Sequence, residues 1–441
     1  MVDSSISKSS AALVAEDARL FLHQAESTPC ISAVRRVEGI WIEDLEGRRY
    51  MDFHGNSVHH IGYAHPKLIA ALKVQLDGLV FSPRRYTNDV AVALARKLAE
   101  LAPKPLSKVL FAPSGSDAIE IALRLARAAT GRHKTVSFWD AFHGAGFGAS
   151  SVGGQALYRS GVNGPLLSGT EHVASFQCYR CAYGYPDRAG QPDLDVCKLS
   201  CANMLRYVLD KEGDVAAVIA EPIRSVCNIP PPGYWQAVRA ACDAHGALLI
   251  FDEIPNGLGK TGRLFACEHW GVVPDILVLG KALGGGTLPI AALIAHADLD
   301  VANELSIGHY THEKNPLTAR AALTTLEIIT GDGLIENARR VGTLALDRLK
   351  AMAVRHPLIG DVRGLGLRLA VELVRDRAEK TPATAEAESV MRRCLTSGLS
   401  FTVSAGNVLV LSPPLIITES EMQRALQILD AALGEEERRA A

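Results

Sequence analysis

The stretch that decides the fold is LLIFDEIPNGLGKTGRLFA (248–266), followed closely by PDILVLGKALGGG (274–286). Each begins with a short apolar run and ends that run on a polar residue, Asp252 in the first and Lys281 in the second. Outward from them, the apolar runs KVLFAP (108–113), KTVSF (134–138) and AAVIAEP (216–222) alternate with helix-length periodic stretches such as DVAVALARKLAELA (89–102). That alternation runs from Lys67 to about residue 300. It predicts an α/β fold with a mainly parallel central sheet and crossover helices on both faces. Open sheets of this kind bind ligands at the carboxyl ends of their strands, which is where Asp252 and Lys281 stand.

Beyond Gly333 the pattern resets. A long helical stretch (336–356), a Gly-rich strand pair DVRGLGLRLAVEL (361–373), a helix, a strand NVLVLSPP (407–414) and a last helix predict a smaller α+β unit. Upstream, the first thirty residues read as a helical arm carrying Leu13, Ala18, Leu20 and Leu22. The segment 33–53 then reads as two strands joined by the turn EDLEGRR. The expected division is an N-terminal arm with strands of the small domain (1–66), a large cofactor-binding domain (67–325) and a C-terminal small domain (326–441). The GEEERRAA tail (434–441) is expected to be solvated.

A chain of 441 residues suggests two or three domains. Its 46 basic and 48 acidic residues leave a formal charge of −2, which offers nucleic acid or a membrane surface no electrostatic footprint. No basic, apolar leader opens the sequence and no apolar run spans a bilayer, while nine cysteines accompany no secretory signal. The expectation is a cytoplasmic protein without membrane or nucleic-acid partners.

A lone strand-end lysine is most often a surface residue. Asp252, 29 positions earlier (281 − 252), changes that reading. A carboxylate on the adjacent strand can keep a pyridinium nitrogen protonated, making the ring an electron sink for a carbanion at a substrate's amine carbon. Desolvation would lower the lysine's pKa so that it works as an amine. Ser114, Gly115 and Ser116 precede the helical stretch 117–129, and amides at a helix N-terminus make a phosphate site; alone, the triplet is also an ordinary cap. Phe142, in Phe142-His143-Gly144, could stack on a flat cofactor. These groups together suit pyridoxal 5′-phosphate (PLP).

With those residues in view, the chain resembles the class III (ω-amino-acid) aminotransferases of PLP fold type I over nearly its whole length. The motifs that carry the resemblance are SGSDAIEIALRLAR (114–127), FHG (142–144), AVIAEPI (217–223) with PPPGYW (230–235), the two stretches quoted first, HYTHEKNP (309–316), DVRGLGL (361–367) and LVLSPPL (409–415). The resemblance implies Lys281 as Schiff-base lysine and proton shuttle, and Asp252 as partner of the ring nitrogen. It further implies Ser114, Gly115 and Ser116 at the phosphate, Phe142 and His143 at the ring, and Glu221 near the site. Thr311 matches a threonine lent to the phosphate across a dimer interface, so the resemblance also implies a homodimer with shared active sites.

Departures from the family pattern bear on substrate. Where many members place an arginine that grips an α-carboxylate, this chain has Val410, and a valine cannot bind an anion. Another arginine could compensate. Arg224 follows Glu221 where relatives carry glutamine and glycines, and Glu313 and Lys314 replace glycines. HGNSVHHIGYAHP (54–66) supplies Asn56, His59, His60 and His65 to a loop that borders the family's substrate pocket, with Arg84, Arg85 and Tyr86 soon after. Singly each is more often a surface or structural residue. As a group, Asn56, His60, Arg85, Arg224 and Lys314 are candidates for binding a small amine with an anionic group such as phosphate or phosphonate.

The segments 358–376 and 380–388 are similar to an ethanolamine-phosphate phospho-lyase pattern. DEIPNGLGKTG (252–262) and THEKNP (311–316) are similar to (R)-1-hydroxy-2-aminoethylphosphonate ammonia-lyases. The resemblance thus implies a lyase releasing ammonia from such an amino-phosphonate to give phosphonoacetaldehyde. The alternative is an ω-aminotransferase passing a terminal amine to a 2-oxo acid; the same residues would serve either. Cys178, Cys181, Cys197 and Cys201 have zinc-like spacing, but similar loops occur in class III relatives and the PLP chemistry needs no metal. Unliganded loop cysteines are the expectation.

Overall fold

The computed structural model describes residues 9–25, 30–188, 191–224 and 226–440. Seven strands form its main sheet, in the spatial order Leu106–Ala112, Ala291–His296, Ile276–Leu279, Leu248–Asp252, Val215–Ala220, Lys134–Phe138 and Thr170–Val173. Ala291–His296 runs antiparallel to both its neighbours, and the other pairings are parallel. The parallel character explains the sequence pattern. Crossover helices cover both faces, so a strand such as Val215–Ala220 is buried along its whole length and shows no polar alternation. Beneath it Phe138, Phe176, Trp235 and Phe251 pack edge to face.

The helix Gly115–Thr130 begins on a Ser114 cap, whose side chain accepts a hydrogen bond from the Asp117 amide, and stops at Gly131 in the left-handed region. That placement sets its N-terminus at the same edge of the sheet as the ends of the parallel strands.

Strands Ile359–Leu365, Arg368–Asp376, Val408–Leu411 and Thr402–Ser404 form a second, antiparallel sheet, with Thr381–Pro382 pairing the Arg368–Asp376 strand. The segment expected to hold two strands holds three: Val34–Glu38, Trp41–Asp44 and Arg49–Asp52. The extra reversal falls at Gly39, whose φ of +56° permits a turn that joins Glu38 directly to Trp41. These strands meet the C-terminal region through parallel pairing of Met51 with Leu399.

The tail is exposed as expected at Glu435, Arg438 and Arg439, with one exception. Helix Glu419–Ala440 continues through the charged residues, and Glu436 is buried, accepting hydrogen bonds from Ser389 Oγ and Arg393 Nε. Charge alone read as solvation, whereas pairing allows the carboxylate to pack.

Candidate active site

Five strand ends converge on one rim of the main sheet. Leu106–Ala112 delivers Ser114 to Ser116, Lys134–Phe138 delivers Phe142 and His143, Val215–Ala220 delivers Glu221, Leu248–Asp252 ends on Asp252 itself, and Ile276–Leu279 delivers Lys281. Lys281 sits at φ +44°, in the left-handed region that non-glycine residues seldom adopt. Burial pushes its amine below the ordinary lysine value; Asp252 pulls it back and Arg368 pushes it further down. By surface area Lys281 is exposed, although protein surrounds it. An amine on the floor of a cleft combines both properties.

Asp252 is buried, and its Oδ2 accepts a 2.8 Å hydrogen bond from Nδ1 of buried His143 while Oδ1 accepts one from the Ile254 amide. The carboxylate fixes the tautomer, since it can only accept. That leaves His143 Nε2 buried without a hydrogen-bond partner.

Around the helix start, close approaches demand glycine. A Cβ on Gly115 would lie 2.8 Å from Ile254 Cδ1, and one on Gly144 (φ +136°) would lie 2.4 Å from Ser116 Oγ. Ser116 Oγ also accepts from the Ala145 amide at 3.1 Å, so the loop carrying Phe142 and His143 is tied to the helix. The Ser114 hydroxyl is committed to Asp117, to which it donates at 2.7 Å. The Gly115 and Ser116 amides therefore offer more to an anion than the Ser114 side chain does. Phe142 is half-buried against Tyr158, ring centroids 4.5 Å apart. A buried carboxylate, an orphaned imidazole nitrogen, a glycine cradle at a helix N-terminus and a solvent-reaching amine fit a phosphorylated pyridine aldehyde.

The expected substrate residues fare less evenly. Arg224 is buried, and its Nη1 donates to Glu221 Oε2 at 2.6 Å while Nη2 donates to the Asp140 carbonyl. Its charge is thus matched within the protein. His60 is a packed core residue bonded to the Gly257 carbonyl at 3.3 Å; burial pushes its pKa well down, so it carries no charge for an anion. Arg85, Asn56 and Lys314 are exposed, and Asn56 at φ +45° occupies a backbone region asparagine tolerates. Thr311 is exposed on a turn. Val410 is buried with Ile223, Cys227 and Ala370.

Three nearby groups are not among the site residues expected from the sequence. Arg368 opens the strand Arg368–Asp376, is buried, and donates from Nη1 to Ser57 Oγ at 3.4 Å. His54 is held below its ordinary pKa, chiefly by burial, and it feels both Arg368 and Lys281. Lys260 is fully buried, donates to the Pro413 carbonyl at 2.6 Å, and is pushed well below its ordinary value by burial. A charged residue amid the apolar run LRLAVEL was the available clue for Arg368.

Cys178, Cys181, Cys197 and Cys201 line one small cavity with Tyr183 and Tyr185. Among the described residues none of the cysteines forms a disulfide and no cluster could hold a metal ion. A separate cavity of 470 Å³ lies between Gln177, Asn228 and Arg363; neither Lys281 nor Asp252 lines it. No helix among the described residues is long and apolar enough to cross a membrane.

Residues 22–433 match the family described as aminotransferase class-III. The (R)-1-hydroxy-2-aminoethylphosphonate ammonia-lyase of Vibrio splendidus (strain 12B01) is 44% identical over 96% of this chain and 90% of its own length. A thermostable (S)-enantioselective omega-transaminase from Thermomicrobium roseum superposes with a TM-score of 0.90 at 30% identity, covering 97% of this chain and 99% of its own. A PLP-bound amine transaminase from an uncultivated Pseudomonas species gives a TM-score of 0.87 at 30% identity over 94% and 98% of the two chains.

Proposed function

The chain belongs to the class III aminotransferase family and is a PLP-dependent enzyme of fold type I, and from that premise we propose that it releases ammonia from a small amino-phosphonate such as (R)-1-hydroxy-2-aminoethylphosphonate, giving phosphonoacetaldehyde. The observation that carries this reading is the likeness to the Vibrio splendidus ammonia-lyase along nearly the whole chain. Buried Val410, which withholds a carboxylate grip, supports it.

Bound PLP supplies an electron sink conjugated to the substrate's amine carbon. In this reading Lys281 Nζ would hold it covalently and Asp252 would pair with its ring nitrogen, while His143 fixes the Asp252 carboxylate through the 2.8 Å bond. The Gly115 and Ser116 amides would hold the phosphate, Phe142 would cover the ring, and Glu221 would border it. The lowered proton affinity of Lys281 favours the neutral form of Nζ, which would take the proton from the amine carbon. The proton taken from the amine carbon and the hydroxyl on the neighbouring carbon would leave together as water. The resulting enamine would shift a proton from nitrogen to the carbon that lost the hydroxyl, and water would then replace ammonia at the former amine carbon. Net, one amine becomes one aldehyde and one ammonia, with water balanced.

Exposed Thr311 supports a homodimer in which each protomer completes the other's phosphate site. The division at residues 66 and 325 and a cytoplasmic location belong to the same proposal. The ω-aminotransferase reading is favoured by the likeness to omega-transaminase structures.

Purified holoenzyme incubated with (R)-1-hydroxy-2-aminoethylphosphonate, without any 2-oxo acid, tests the choice. Sustained release of ammonia and aldehyde is expected. Turnover that needs pyruvate or 2-oxoglutarate and accumulates alanine or glutamate would establish transamination in its place.

A further inference from the structure

Val410 leaves a question about charge. A substrate with an anionic head needs a cation in the pocket, and the cations named from the sequence are matched, neutral or on the surface. Arg224 is matched by Glu221, His60 is neutral, and Arg85 and Lys314 are exposed. Lys260 is fully buried, held well below its ordinary pKa and engaged with the Pro413 carbonyl.

Register in the antiparallel sheet points elsewhere. Ala370 pairs with Val410, and Leu369 pairs with Leu411. Paired residues share a face, and so do residues two apart on one strand. Arg368 therefore lies on the same face as Val410, one row along, as its diagonal neighbour. Diagonal positions sit about 7–8 Å apart, which the length of an arginine side chain spans. This face packs on the segment after Glu221, since Cys227 Sγ donates to the Arg368 carbonyl and Ile223 packs with Val410.

On the other side, Arg368 Nη1 reaches Ser57 Oγ in the loop of residues 54–66. The guanidinium thus stands between the Glu221 segment and that loop, within electrostatic range of Lys281 and His54. The bond to Ser57 ties the guanidinium to that loop at 3.4 Å.

We propose that Arg368 grips the anionic head group of the substrate, taking over from the neighbouring row of the sheet the task that Val410 cannot perform. Its planar fork suits a phosphonate, which accepts two parallel hydrogen bonds. Arg368 is a binding residue in this scheme, while Lys281 does the proton transfer. The inference rests on the amino-phosphonate reading only for the identity of the anion.

The test compares wild type, Arg368→Lys and Arg368→Met holoenzymes, each first checked for native thermal unfolding and cofactor absorbance. Calorimetric titration with methylphosphonate, which has no amine, reads the anion site without turnover. The dissociation constant is expected to rise at least about tenfold in Arg368→Met and by less in Arg368→Lys. KM for the amino-phosphonate should rise in parallel while kcat changes little. Unchanged affinity in both folded variants overturns the proposal, as does wild type that does not bind methylphosphonate. A variant that loses cofactor absorbance together with anion affinity overturns it too, in favour of a purely structural arginine; Arg368→Lys guards against reading a folding failure as such. The two readings fail separately. Arg368-dependent methylphosphonate binding without ammonia release sinks the lyase alone, and sustained release with an unchanged KM in Arg368→Met sinks only this assignment.

Discussion

The rim of the main sheet and the face of the five-stranded sheet are built by different rules. On the rim, each candidate group sits at or just past the carboxyl end of a strand: Asp252 on its last residue, Lys281 two beyond Leu279, Glu221 one beyond Ala220. Backbone topology alone brings them to one edge. On the face, Val410, Ala370 and Arg368 are side chains of paired strands, and what they offer a ligand depends on which residue occupies each row. A fold can hold one cofactor chemistry on such a rim while substitutions on the face change what is brought to it.

The strongest way to break this contrast is at the rim. Lys281→Ala is expected to lower turnover by about 10⁴-fold and to remove the visible absorbance of the bound cofactor. An absorbance that persists would show that another group holds the cofactor. Asp252→Asn should leave the fold intact yet cost on the order of 10²- to 10³-fold in kcat, read by steady-state kinetics, because a preorganised charge at the ring nitrogen is lost.

On the face, Val410→Arg places a guanidinium in an apolar cluster with Ile223, Cys227 and Ala370. A loss of about 3 kcal/mol in denaturant unfolding is expected, with no gain on the amino-phosphonate. A gain on ordinary α-amino acids would show that the two rows are interchangeable.

The smallest effect expected is on the loop between rim and face. His59 is pushed down to about 4, chiefly by burial, while an unfolded histidine titrates near 6.5. Between those values the unfolded chain binds more protons, so stability falls as pH drops from about 6.5 toward 4. Hydrogen exchange at the amides of residues 54–62 should accelerate across that window before the main sheet is affected.

The same contrast explains what the sequence made legible. The strand-end placement of Asp252 and Lys281 is legible because a buried parallel strand is an apolar run whose end is visible as its first polar residue. The place of Arg368 beside Val410 is hidden from the sequence, because it depends on pairing across residues 369 and 411, which are 42 positions apart (411 − 369). His60 misled for the opposite reason: spacing put it in a promising loop, but burial made it neutral. Gly39 hid a strand boundary because one glycine in a β-rich run can be either an interior residue or a complete turn. The charged tail is helical because its carboxylates find partners on another helix.

Lys260 and Lys281 share a weakened hold on their protons but differ in access to water. Acylating reagents attack unprotonated amines, and ordinary surface lysines are almost all protonated near neutral pH. Brief labelling of cofactor-stripped protein should therefore mark Lys281 ahead of the surface lysines, and reloading the cofactor should shield it. Lys260 should stay silent until the chain opens. A peptide map of the labelled protein would turn the two amines into separate gauges, one of cofactor occupancy and one of the integrity of the core.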